Sequence, residues 1–113
     1  SGAGFSAPDY VAAWQRLDAL RQSWLAQTAG YDAVLLPTAP ILPPDAARLM
    51  TDDEYYVTEN LLALRNTRVG NLMGLCGLTL PTGVPATGLM ALGRPGAEEH
   101  LLRIGAAIEA ALA

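Results

Sequence analysis

Lysine does not occur in this chain, and histidine, cysteine and phenylalanine occur once each. These scarcities remove whole classes of function. His100 and Cys76 stand alone and far apart, so the clustered Cys/His spacings of a zinc site are missing and no metal is expected. A single cysteine permits no internal disulfide, and a lone thiol within an apolar stretch suits a reducing, cytoplasmic setting. The basic charge is all arginine, scattered singly, and the net charge is −4. No basic stripe forms, which argues against nucleic acid as a partner. No apolar run approaches the roughly 18 residues of a membrane span, and the start lacks a basic-then-apolar signal, so no membrane partner is expected.

What is abundant is apolar side chain, 51% of the residues against 16% charged. That is far from a disordered profile and rich for so short a chain, so part of the apolar surface is expected to need a partner. The 113 residues suit a single unit, with residues 1–5 read as a flexible or appended end. Ser6-Ala7-Pro8-Asp9 predicts a helix start, with a serine cap, proline in the first turn and an acid three residues on. Tyr10, Trp14, Leu17, Arg21 and Trp24 then recur at helical spacing, and Trp14, Leu17 and Trp24 are expected to face a sheet. Gly30 predicts a left-handed cap near Ala29.

Ala33-Val34-Leu35-Leu36 reads as a strand buried on both faces, followed by a proline-dense loop from Pro37 to Pro44. Thr51-Asp52-Asp53-Glu54 reads as a second capping box, opening a helix to about Asn66. A further helical piece is expected from about Thr67 to Met73. Short strands at Leu78–Leu80 and Gly88–Gly93 are placed to pair with each other, and an amphipathic helix from Ala97 to Leu112 should pack on the sheet. The fold class is therefore α/β, helices on a small mixed β-sheet.

Candidate chemistry is thin. No Gly-x-Ser-x-Gly elbow or Ser-x-x-Lys pair occurs, Ser6 is a helix cap, and Ser23 sits within a helix. The acids at Asp52, Asp53 and Glu54 are explained by capping and the helix dipole, and His100 by a surface position. Gly70, Gly74, Gly77 and Gly83 lack the pattern of a phosphate cradle, so no cofactor is expected. Thr38 lies at the carboxyl end of a strand, where α/β sheets border ligand crevices. Thr67, Arg68 and Asn71 share one side of a helix and either brace the backbone or line a pocket.

Three motifs add a family resemblance that spans almost the whole chain. Tyr31-Asp32-Ala33-Val34-Leu35-Leu36-Pro37-Thr38-Ala39-Pro40, the run Asn71 to Gly83 with its Asn71-x-x-Gly74, and Gly88 to Pro95 before Glu98-Glu99-His100-Leu101-Leu102 resemble the C-terminal part of an amidase signature enzyme. The resemblance implies hydrolysis of a small amide to a carboxylate and ammonia or an amine, through a serine, a second serine and a lysine in a Gly/Ser-rich segment. That segment and its lysine are missing here. No catalytic residue is therefore assigned, and the chain alone is expected to be inactive. The resemblance implies instead that it supplies sheet and a wall of the substrate cavity, with Thr38, Thr67 and Asn71 as substrate-binding candidates. The expected partner is the remainder of an amidase chain, or a second copy in a homo-oligomer. The competing expectation is an autonomous, non-catalytic structural or protein-binding module.

Overall fold

The Ser6 hydroxyl accepts a hydrogen bond from the Asp9 N–H while the Asp9 carboxylate accepts from the Ser6 N–H, a reciprocal cap with Pro8 in the first turn. This opens α1 (Ala7–Gln27) in a computed structural model that describes residues 2–113. Hydrogen bonds from the Ser6 side chain and then its backbone hold the Asp9 carboxyl below its usual range. A carboxyl depressed on folding contributes stability above its unfolded pKa of about 4, and that contribution is lost as pH falls through the folded value. The first turn of α1 should therefore fray on acidification below about pH 4. Amide exchange at Asp9 and Tyr10, followed by NMR, checks this, and Ser6→Ala should flatten the profile. A wild-type profile with no acid limb would contradict it.

The other end of α1 differs from the reading. Thr28, not a left-handed Gly30, closes the helix: its N–H and its hydroxyl both donate to the Trp24 carbonyl, while its own backbone leaves the helical range at ψ 3°. Gly30 has no positive φ. The Tyr31 N–H then closes a tighter turn on the Thr28 carbonyl, so the helix ends early without a glycine.

The chain then runs through β1 (Val34–Pro37), α2 (Ala46–Leu49), α3 (Asp53–Ala63), α4 (Thr67–Met73), β2 (Cys76–Pro81), β3 (Gly88–Gly93) and α5 (Glu98–Leu112). The short α2 has no counterpart in the sequence reading. It is capped by Asp45, whose carboxylate accepts from the Arg48 N–H directly after Pro43-Pro44. This helix also moves the second cap by one residue. The Thr51 hydroxyl turns back onto the Ala47 carbonyl of α2, so Asp52 caps α3 by accepting from the Tyr55 N–H. That bond, followed by the one from Arg48, holds the Asp52 carboxyl below its usual range. At the end of α4, Gly74 takes φ 69°, a conformation few residues with a Cβ adopt, and the Arg21 Nε–H reaches across from α1 to the Leu72 carbonyl at 2.8 Å.

The α/β class holds, with helices on a three-stranded sheet of order β1-β3-β2. Both pairings are antiparallel, so the parallel pairing that a mixed sheet would contain does not occur among the described strands. The register puts Val34, Leu36, Met90, Leu92, Gly77 and Thr79 on one face and Leu35, Ala91, Leu78 and Cys76 on the other. On the first face Gly70 of α4 lies against Leu92, and on the second Gly105 and Leu101 of α5 meet Leu78 and Gly93. The buried apolar residues Leu80, Met90, Ala91, Leu92 and Leu101 sit where these layers meet.

Two expectations of burial fail, for one reason. Strand β1 is not covered on both faces: α5 packs on β2 and β3, and Leu35 on the edge strand stays 50% exposed. Helix α1 packs on α4 rather than broadside on the sheet, so Trp14 is exposed, meeting Tyr10 edge to face and the Arg21 guanidinium at 5.6 Å. Trp24 does come up to the sheet, around a crevice it shares with Val34 and Leu92. The shape agrees, at 49 × 43 × 19 Å with a radius of gyration of 17.2 Å, against about 13 Å for a compact domain of this length. The accessible surface is 7981 Å², against about 6,000 Å² for a folded monomer of this mass. Among the described residues, no helix is long and apolar enough to cross a membrane.

Candidate functional site

At the end of β1 the chain leaves the sheet without leaving its face. Thr38 follows Pro37 on the side of Leu36, and its N–H donates to the Gly88 carbonyl of β3 at 2.9 Å. The Thr38 hydroxyl then reaches across β3 to the Thr79 hydroxyl of β2 at 3.2 Å. The central strand must be low here for that bridge to form. A Cβ on Gly88 would stand 2.8 Å from Thr79 Cγ2 and 2.9 Å from Thr38 Oγ1, so a side chain there would force the two threonines apart.

Above this row lies an open groove of about 700 Å³, between the loop of residues 38–42 and the loop of residues 82–88. That volume is in the range of small-molecule sites. Ile41 and Leu42 form one bank and Ala86, Thr87 and Leu89 the other. The second loop is held by its own hydroxyls: Thr87 donates to the Val84 carbonyl at 2.9 Å and meets the Thr82 hydroxyl closely. Ala86 takes φ 59° within it, uncommon for a residue with a Cβ. The first bank is tied to α4 by Asn66, whose side-chain amide donates to the Pro37 carbonyl at 2.7 Å.

Of the three residues marked from the sequence, Thr38 lies on the groove floor, while Thr67 and Asn71 lie on α4 outside its lining. The Thr67 hydroxyl donates to the carbonyl of Leu64, the residue that closes α3, and Asn71 is exposed. The side chain that links α4 to the groove is Asn66, the residue before that helix. Asn66, Thr79, Thr82 and Thr87 were not singled out from the sequence. Thr79 carried a faint signal, as the polar residue of Leu78-Thr79-Leu80, but its partner Thr38 lies across a third strand.

Three other groups that could carry chemistry have structural partners among the described residues. The Cys76 thiol contacts the Arg94 carbonyl at 3.1 Å, and His100 Nε2 lies 3.3 Å from the Asp32 carboxylate on the surface. The Ser23 hydroxyl accepts from the Gln27 amide. Among the described residues, no three His, Cys, Asp or Glu side chains gather as a metal site requires.

Compared with known proteins, the chain is 43% identical over 70% of its length to 2-amino-5-chloromuconic acid deaminase of Comamonas testosteroni, covering 18% of that protein. It is 34% identical over 93% of its length to a fatty acid amide hydrolase of Arabidopsis thaliana, covering 18% of it. Over 95% of its length it is 34% identical to a subunit of glutamyl-tRNA(Gln) amidotransferase from Acidobacterium capsulatum, covering 22%. The chain thus spans about a fifth of the length of these relatives. No family model matches it, and no solved structure does.

Proposed function

Because the chain belongs to the amidase signature family, we infer that it is the C-terminal segment of a larger hydrolase that converts a carboxamide to a carboxylate and ammonia or an amine. One observation carries this reading: similarity to the relatives runs along nearly the whole chain while covering about a fifth of theirs. The unusual exposure supports it. The surface in excess of a compact monomer is about 2,000 Å², more than the roughly 800 Å² one partner buries in a standard interface. The bare faces of α1 and β1 suit a cover of further polypeptide, either the remainder of the same chain or a second copy.

In this role the segment contributes sheet, helical cover and one wall of the cavity for the acyl part of the amide. Thr38 stands on that wall, and Thr67 and Asn71 on α4 are candidates for its margin. The acyl-serine chemistry, with its serines and lysine and an oxyanion held by backbone N–H groups, belongs to the rest of the enzyme. A cytoplasmic setting suits the free Cys76 thiol. The three relatives are named for different substrates, so none of those substrates is carried over.

The test joins two measurements. The intact mass of the native gene product should be several times that of this segment, and the segment alone should release no ammonia from aliphatic or aromatic amides above background. A native product of this length that stays monomeric and folded would favour an autonomous module. Turnover that survives purification and is lost on mutating a residue of this segment would overturn the division of labour.

A further inference from the structure

The chemistry of the groove narrows the substrate class, given the reading of this segment as a cavity wall. No Asp, Glu, Arg or His lines it, and none of the arginines reaches it. Its polar side chains are four threonines, and their hydroxyls meet one another or the backbone: Thr38 donates to Thr79, and Thr87 meets Thr82 and donates to the Val84 carbonyl. Thr38 and Thr87 spend their protons on Thr79 and on the Val84 carbonyl, so beyond the proton that the accepting Thr79 keeps, this row offers a ligand chiefly methyl groups and spare lone pairs. Lone pairs repel an anion. An ionised carboxylate laid along this floor would exchange water for a surface with no cation and few free donors, a poor exchange for a charge. An aliphatic or aromatic group meets Ile41, Leu42 and Leu89 with no such penalty.

We propose that the groove takes the acyl portion of a neutral carboxamide, a chain or ring without an ionised group, and discriminates against acyl groups that end in a carboxylate. Selectivity is set by the paired hydroxyls of Thr38 and Thr79 on the floor and by Leu42 on the bank. Gly88 makes the pairing possible, and Asn66 holds the peptide from which Thr38 projects.

The experiment compares hexanamide with adipamic acid, which differs in ending in a carboxylate, using the full-length protein that carries this segment. Turnover is read by ammonia release and binding by saturation-transfer NMR. Hexanamide should be favoured by about 100-fold or more in kcat/KM, or bind preferentially if neither is hydrolysed. Leu42→Arg, at a side chain exposed enough to accept the change without unfolding the sheet, should narrow that ratio at least about tenfold by favouring adipamic acid. Equal or better use of adipamic acid by the wild type, with the ratio still moved by Leu42→Arg, would overturn the selectivity while leaving the cavity wall in place. Leu42→Arg and Thr79→Ala that both leave both substrates untouched would overturn the wall reading too, and would assign the groove to covering polypeptide. Failure of both compounds to bind or turn over would also overturn the proposal.

Discussion

Leu92→Ala is expected to cost about 2–5 kcal/mol, a large part of the stability of a domain this small. Leu92 is 4% exposed in the central strand, and the same Cδ2 methyl lies 3.1 Å from the Cβ position of Gly70 in α4 and 3.3 Å from that of Gly77 in β2. One side chain thus fills the space where a helix and the neighbouring strand both lack theirs. Truncation leaves a cavity that two glycines cannot collapse into, because neither has a side chain to move. Leu35→Ala is the control. That leucine is half exposed on the edge strand, and its truncation should cost less than about 1 kcal/mol. Urea unfolding of both variants in the same protein makes the comparison. Similar costs at the two positions would mean that the central strand does not organise the fold.

The contrast also explains what could be read from the sequence and what could not. Signals carried by neighbouring residues were legible. The Ser6–Asp9 cap, the strand Gly88–Gly93, the start of α4 at Thr67 and the amphipathic α5 all follow from spacing within a few residues. What failed depended on company. Val34-Leu35-Leu36 is apolar enough for a doubly covered strand, but α5 lies over β2 and β3, so the same residues read as edge. The stripe of α1 is real, yet in this segment it meets α4 along only part of its length. The helix Ala46–Leu49 is a single turn, too short for periodicity to reveal. The groove was partly legible: Thr38 was marked by its place at a strand end, whereas Thr79, Thr82 and Thr87 gain meaning only when the hairpin folds them toward it. Asn66 looked like a helix end, and its bond to the Pro37 carbonyl spans 29 residues of sequence.

Substitution at Gly105 should reverse sign with the state of a single neighbour. Glycine in the middle of a fifteen-residue helix is poorly placed by intrinsic preference, and alanine there would ordinarily stabilise by up to about 1 kcal/mol. Here Gly105 is buried on the sheet, and a Cβ would overlap Leu78 Cδ2. Overpacking of this kind costs about 1–3 kcal/mol, so Gly105→Ala should be destabilising overall, and Gly105→Val more so, toward about 3 kcal/mol. The decisive variant removes the obstacle. In a Leu78→Ala background the propensity gain is no longer opposed, and Gly105→Ala should become stabilising. The double-mutant cycle should return a coupling of about 1–3 kcal/mol, far above the few tenths expected of independent sites. Denaturation midpoints of the four proteins supply the measurement. If Gly105→Ala is destabilising by the same amount whether residue 78 is leucine or alanine, the close approach of α5 to β2 is not what requires glycine at this position.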